Sequence, residues 1–216
     1  MNGKRSYLFN EACMSDILND SKKMMAEEVD RMSDDYILNV SPTDLVDYLE
    51  DKYSFEVPSL REDQIQIIDK QDVHRDVSDY GRQIQVKMQQ ITFAIPFSGN
   101  HSMFQFTPST QYKGTKPTGK IMNMKEIHLT YAEKDLNPEA FRSQLKKDIE
   151  EISQCLQWLA EDVRQHNSNL CELGEQLIQK RRTRALASAN LLTALNIPVR
   201  QREGKQPTFR APEIAR

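Results

Sequence analysis

The chain has 216 residues, 38% hydrophobic and 28% charged, with a formal net charge of −3. That is enough for one core plus an extended appendage, too apolar and too periodic for wholesale disorder, and too polar for a chain threaded through a bilayer. Its three cysteines (Cys13, Cys155 and Cys171) are far apart and form no CxxC pair. They speak against a disulfide framework and a zinc knuckle, and for a reducing, cytoplasmic location.

Charge is unevenly spread. From Lys180 onward nine Lys or Arg stand against Glu203 and Glu213, a net of +7 that leaves −10 on residues 1–179. A basic end behind an acidic body is able to meet nucleic acid or an acidic protein surface, or to serve as a solvated linker.

Taken in chain order, Met14, Ile17, Leu18, Met24, Met25, Val29 and Met32 recur at helical spacing and predict an amphipathic helix over about 10–32. Ser41-Pro42-Thr43-Asp44 is a helix start, with a capping hydroxyl, a proline at the first position and an acid in the first turn, and it predicts a helix over 42–53. The period then changes to two. Ile65, Ile67, Val73 and Val77, then Ile84, Val86, Met88, Ile91, Phe93, Ile95 and Phe97, and finally Ile127, Leu129 and Tyr131 predict strands within about 64–131. A turn is expected at Ser98-Gly99-Asn100, with Met103, Phe104 and Phe106 resuming the strand, and a loop is expected at 113–120.

Asn137-Pro138-Glu139 opens the last element. Leu145, Ile149, Ile152, Leu156, Leu159, Val163, His166, Leu170, Leu173 and Leu177 follow at alternating spacings of 4 and 3 without a slip. This is a heptad seam, with His166 as a register-setting polar group at a d position. Nothing in residues 1–136 looks long enough to cover it, so the expected cover is another copy or a partner chain. A rival reading breaks the helix at 166–169 and folds it into an αα-hairpin, but the heptad phase runs through those residues.

The expected fold is therefore α+β. A body over 1–136 has N-terminal helices packed on an antiparallel sheet, a long coiled-coil helix spans 137–195, and an extended basic tail or linker spans 196–216.

Candidate chemistry is sparse. His74, His101, His128 and His166 show no metal-ligand spacing, and Glu27-Glu28 and Asp34-Asp35 read as solvated helix carboxylates. The loop at 113–120 lacks the spacing of a phosphate-binding loop. No catalytic residue, metal site or cofactor is expected. Lys180, Arg181, Arg182, Arg184, Arg200 and Arg202 are the candidate nucleic-acid contacts, although only Phe209 follows residue 160 as an aromatic, so bases would find no stacking platform.

Three stretches carry a resemblance: DDYILNVSPTDLVDYLEDKYSFEVPSL, AIPFSGNHSMFQFTPSTQY, and the region from SQCLQWLAEDVRQHNSNL to LLTALNIPVRQREGKQPTFRAPEIAR. Together they resemble the N-terminal region of a widespread, uncharacterised group of bacterial proteins, over roughly residues 30–212. Members often continue, after a tail similar to IPVRQREGKQPTFRAP, into a PD-(D/E)xK restriction-endonuclease-like domain. The resemblance implies a bacterial, defence-related protein whose nuclease activity would lie beyond Arg216. This chain would then be a non-catalytic assembly or regulatory module with a homo-oligomer, a nuclease domain or another protein as partner. A nucleic-acid-binding module acting through 180–216 is the alternative.

Overall fold

The computed structural model describes residues 6–79, 82–110, 116–134 and 137–195. The elements in order are β1 (Ala12–Cys13), α1 (Met14–Arg31), α2 (Asp34–Asn39), α3 (Pro42–Tyr53), β2 (Ser59–Leu60), β3 (Gln66–Asp79), β4 (Arg82–Ser98), β5 (Phe106–Thr107), β6 (Lys120–Met122), β7 (Glu126–Glu133), α4 (Pro138–Ser168) and α5 (Leu170–Leu195). The fold is α+β, with N-terminal helices, an antiparallel sheet and a long bent C-terminal helix packing on the N-terminal helices. The chain forms two compact units. The first combines residues 1–18 with 55–165, and the second combines 19–54 with 166–216. Both are therefore discontinuous, and their boundaries do not coincide with a division at residue 137.

In the first unit the sheet order is β2-β4-β7-β6, with β3 pairing β4 on the β2 side. All of these pairings are antiparallel. Side chains alternate across a strand, so odd-numbered positions of β4 from Ile91 to Phe97 share one face with Ile127, Leu129 and Tyr131 of β7. That face is the core. Phe93, Ile95, Phe97, Ile127 and Leu129 form one buried cluster with Met14 and Leu18 of α1 and with Ile149, Ile152, Leu156, Leu159 and Val163 of α4. A hydrogen bond of 2.8 Å from the Tyr131 hydroxyl to Asp148 Oδ2 fixes β7 against α4.

Two local features depart from the alternation. Residues 101–105 form a 3₁₀ turn rather than a strand, capped by Asn100 Oδ1, which accepts from the Ser102 N–H at 3.0 Å. Met103 and Phe104 are buried there, with Phe104 against the rings of Phe9 and Phe97. Their burial comes from tertiary contacts, so only Phe106–Thr107 remains as a strand, paired in parallel with β1. The β6–β7 hairpin turns at Asn123 and Met124, both at positive φ (50° and 59°), with the Lys125 N–H donating to the Met122 carbonyl. This is the type I′ turn that matches strand twist, here without its usual glycine. The expected loop at 113–120 is described only from Lys116.

In the second unit α1, α2, α3 and α5 share a buried cluster that includes Met25, Val29, Ile37, Leu45, Val46, Leu49, Leu170 and Ile178. α3 begins as its sequence dictates, with Ser41 Oγ accepting from the Asp44 N–H at 3.4 Å and Pro42 at the first position. α2 was not foreseen. Ser33 caps it, but six residues are too few for a self-sustaining helix, so its neighbours hold it. α5 approaches closely at Gly174, where a Cβ would stand 3.2 Å from the Met25 methyl carbon and 3.8 Å from Val46.

The C-terminal helix is neither unbroken nor a hairpin. α4 ends at Ser168 and α5 restarts at Leu170, with Asn169 as a single turn residue whose N–H bonds back to the His166 carbonyl at 3.1 Å. One residue is too short a connection to reverse a helix. The expected extended tail, residues 196–216, lies outside the described residues.

Candidate interaction surfaces

The heptad seam is the first candidate, and the structure corrects its role. Ile149, Ile152, Leu156, Leu159 and Val163 are buried in the first unit's core, and Leu170 in the second unit's core. Leu145, Leu173 and Leu177 are partly buried against the same clusters. The cover is the chain itself, because a one-sided sheet buries a seam as well as a second helix does. After Asn169 the heptad also loses its grip. The buried positions become Leu170, Gly174, Ile178, Arg181 and Ala185, while Leu173 and Leu177 move to the flank. A straight helix turns every 3.6 residues, so a 3.5-residue stripe rotates off the contact line unless a partner helix coils with it.

His166 is 3% exposed and donates from Nε2 to the Tyr53 carbonyl at 3.1 Å, capping the end of α3. Burial pushes its pKa below the ordinary imidazole value, against the raising effect of that hydrogen bond. It is a neutral structural group rather than a register device between chains.

The basic segment is the second candidate. Arg181 is 8% exposed, and its Nη2 donates to the Met32 carbonyl (2.6 Å) and to Asp34 Oδ1 (2.5 Å). Arg182 donates to the carbonyls of Ile37 (2.8 Å), Val40 (3.2 Å) and Leu38 (3.4 Å). These two guanidinium groups satisfy the carbonyls that α1 and α2 leave open at their C-terminal ends. Arg184 pairs with Asp30 at 3.2 Å on the surface, and Lys180 is exposed. Half of the helical cluster is therefore committed to the fold, and Arg200 and Arg202 lie outside the described residues.

The carboxylates read as solvated include one that is not. Glu28 accepts from Lys52 Nζ (2.7 Å), the Tyr48 hydroxyl (2.9 Å) and the Tyr53 hydroxyl (2.5 Å), a clamp between α1 and α3. Burial works to raise the Glu28 pKa, but hydrogen bonds from Lys52, Tyr53 and Tyr48 together hold it below the usual carboxylate value. Burial and then Glu28 push the Tyr53 hydroxyl up to about 12. Glu27 bonds Arg31 one turn on, and Asp34 faces Arg181. Among the described residues there is no group of three or more His, Cys, Asp or Glu placed to hold a metal, and no helix is long and apolar enough to cross a membrane. Cys155 is buried, its thiol raised to about 11 by burial and nearby Glu151. A shallow groove of about 310 Å³ opens over Leu145 and Ile149, rimmed by Glu62, Arg142, Lys146 and Glu150.

The remaining surface was not singled out from sequence. β3 and β4 form a hairpin in register from Gln66↔Ala94 to Asp79↔Arg82, but β7 pairs β4 only over Gln89–Pro96. Toward Arg82 from Gln89 the ribbon is therefore two strands wide among the described residues. Its apolar residues have changed face: Ile84, Val86 and Met88 lie at even positions and the core residues Ile91 to Phe97 at odd ones, with no slip in β4 between them. Val73 lies opposite Met88 on the same outward face. The only irregularity is in β3, at Ile67/Asp69, where Ile67 and Ile68 are 62% and 47% exposed. Ile84 is 43% exposed. Two diagonal contacts brace the ribbon, Lys87 Nζ to Asp72 Oδ2 (2.8 Å) and Arg75 Nη2 to Gln90 Oε1 (3.2 Å). The signal was present in the sequence: between Met88 and Ile91 the apolar alternation skips a step, as it must where a stripe crosses a sheet.

No protein-family model, curated protein or solved structure matches this chain.

Proposed function

We propose that this chain is a non-catalytic assembly module and that its contact element is the outer β3–β4 ribbon, not the heptad seam. One observation carries the reading. Val73, Ile84, Val86 and Met88 line one face of a ribbon that no other strand flanks among the described residues, on the side away from the core. A two-stranded ribbon is marginal by itself in water, and an apolar stripe left on it gains by being covered. The ribbon's charge is balanced, with Asp69, Asp72 and Asp76 against Lys70, Arg75 and Lys87, which suits a protein surface better than a polyanion. The resemblance described above supports a nuclease-linked setting for this module, with the chain itself cleaving neither DNA nor RNA.

The test is a photo-crosslinking residue at position 84 of the full chain, with position 130 on the opposite flank of the sheet as control. A discrete adduct at 84, identified by mass spectrometry and lost in Val86→Asp, is the expected result. Equal labelling at both positions, or none, removes the ribbon as the contact element.

A further inference from the structure

Resting on that reading, we propose that the ribbon's partner is a second copy of this chain, joined edge to edge through β3 with Val73 on the two-fold axis. β3 has 14 residues and among the described residues pairs only with β4, so along its outer edge no described strand meets its backbone donors and acceptors. Exposed edges of that length, without proline, are templates for another strand, and proteins ordinarily blunt them. β3 has no bulge between Asp69 and Asp79, and its sequence there is DKQDVHRDVSD, charged but without a long run of one sign.

The charges choose the partner. When two copies of one strand pair antiparallel about a two-fold, opposed residue numbers sum to a constant, and opposed side chains share a face, so that constant is even. With Val73 on the axis, Asp72 meets His74, Lys70 meets Asp76 and Gln71 meets Arg75, each contact occurring twice. No like charges are opposed among these exposed side chains. Moving the axis to Asp72 sets that carboxylate against its own copy. Moving it to His74 sets Asp72 against Asp76. Like charges directly opposed are destabilising, which removes both of these. An axis on Gln71 or Val77 opposes no like charges but keeps only Asp69–Val73 or Arg75–Asp79 of the bulge-free stretch paired, against Asp69–Val77 for an axis on Val73. Asp72 is already held by Lys87 on the same face, at 2.8 Å.

The geometry also resolves the stripe. Edge pairing joins two ribbons into one four-stranded sheet, in the order β4-β3-β3-β4, with both sets of Val73, Val86 and Met88 on a common face. Three or more strands with an apolar face reach the stability a lone hairpin lacks. Because edge pairing is mainly main-chain hydrogen bonding rather than broad burial, the dimer is concentration dependent.

Sedimentation velocity over a concentration series, with the full chain, tests this directly. Lys70→Asp alone turns both Lys70–Asp76 contacts into carboxylate pairs, and Asp76→Lys alone turns them into ammonium pairs. Each weakens dimerisation by roughly tenfold at low salt, and the double swap K70D/D76K recovers most of the loss. Both side chains are exposed, and melting curves confirm that the variants remain folded. In parallel, Val73→Cys forms a disulfide-linked dimer under mild oxidation that the parent, with its own three cysteines, does not form, because only this register opposes residue 73 to itself. A chain that stays monomeric at every concentration, or a dimer indifferent to the charge swap and not trapped by V73C, overturns the proposal. A monomer that still gives a foreign adduct at position 84 overturns this inference while leaving the proposed function standing. Absence of any adduct removes both.

Discussion

Replacing Arg181 and Arg182 with methionine distinguishes a structural clamp from a nucleic-acid contact. Methionine keeps most of the buried stem, so the loss is concentrated in the guanidinium bonds. The Asp34 side chain is 50% exposed, which leaves little of its ion pair with Arg181 after solvent screening. What remains is the charge-assisted bond to the Met32 carbonyl, about 1.5–3 kcal/mol. Arg182 bonds three carbonyls at the end of α2, and their partial exposure puts its contribution nearer 1 kcal/mol, at the lower end of the ordinary range. The double variant should therefore lose roughly 2.5–4 kcal/mol, or about 5–16 °C in Tm for a chain of this size. Far-ultraviolet circular dichroism reads the melt, and Lys180→Met with Arg184→Met supplies a surface control worth about 0.5 kcal/mol or less. A double variant that melts with the control, while losing a salt-dependent affinity for duplex DNA, would refute the clamp and reinstate the basic segment as a phosphate contact.

Leu159→Asp buries a carboxylate at a site 0% exposed and should unfold the first unit at a cost of at least about 4 kcal/mol, seen in denaturant titration, instead of dissociating an intact oligomer. Met124→Gly places the residue that type I′ turns prefer at a φ of 59° and should raise stability by about 0.5–1 kcal/mol in the same titration. Gly99→Ala should destabilise by about 1–2 kcal/mol, because φ there is +95° and the new Cβ would stand 3.1 Å from Pro58 Cα. Acidification should weaken the fold in two stages. The lowered His166 pKa means that the unfolded chain takes up the proton first, so stability falls as pH drops below 6.5. The lowered Glu28 pKa extends the fall below 4.5. His166→Gln should remove the first stage from a pH series of unfolding midpoints and leave the second.

The sequence by itself determined those features whose causes are local. Ser41, Pro42 and Asp44 start α3 where their chemistry requires, the period-two run from Ile91 to Phe97 becomes a central strand, and Leu145 to Val163 becomes one apolar helix face. Tertiary structure decided what each face meets. A heptad states that a stripe must be buried and is silent on whether a helix or a sheet buries it, so the seam's partner could not be read from its spacing. Arg181 and Arg182 looked like free cations because a carbonyl end 149 or 145 residues away in sequence leaves no trace in local composition. β1, β2 and β5 have two residues each, too few to show a period. The outward turn of Ile84, Val86 and Met88 was written in the skipped step before Ile91. It acquires meaning only once β7 is seen to stop pairing at Gln89, since the same alternation inside a wider sheet would be core and beyond its edge is surface.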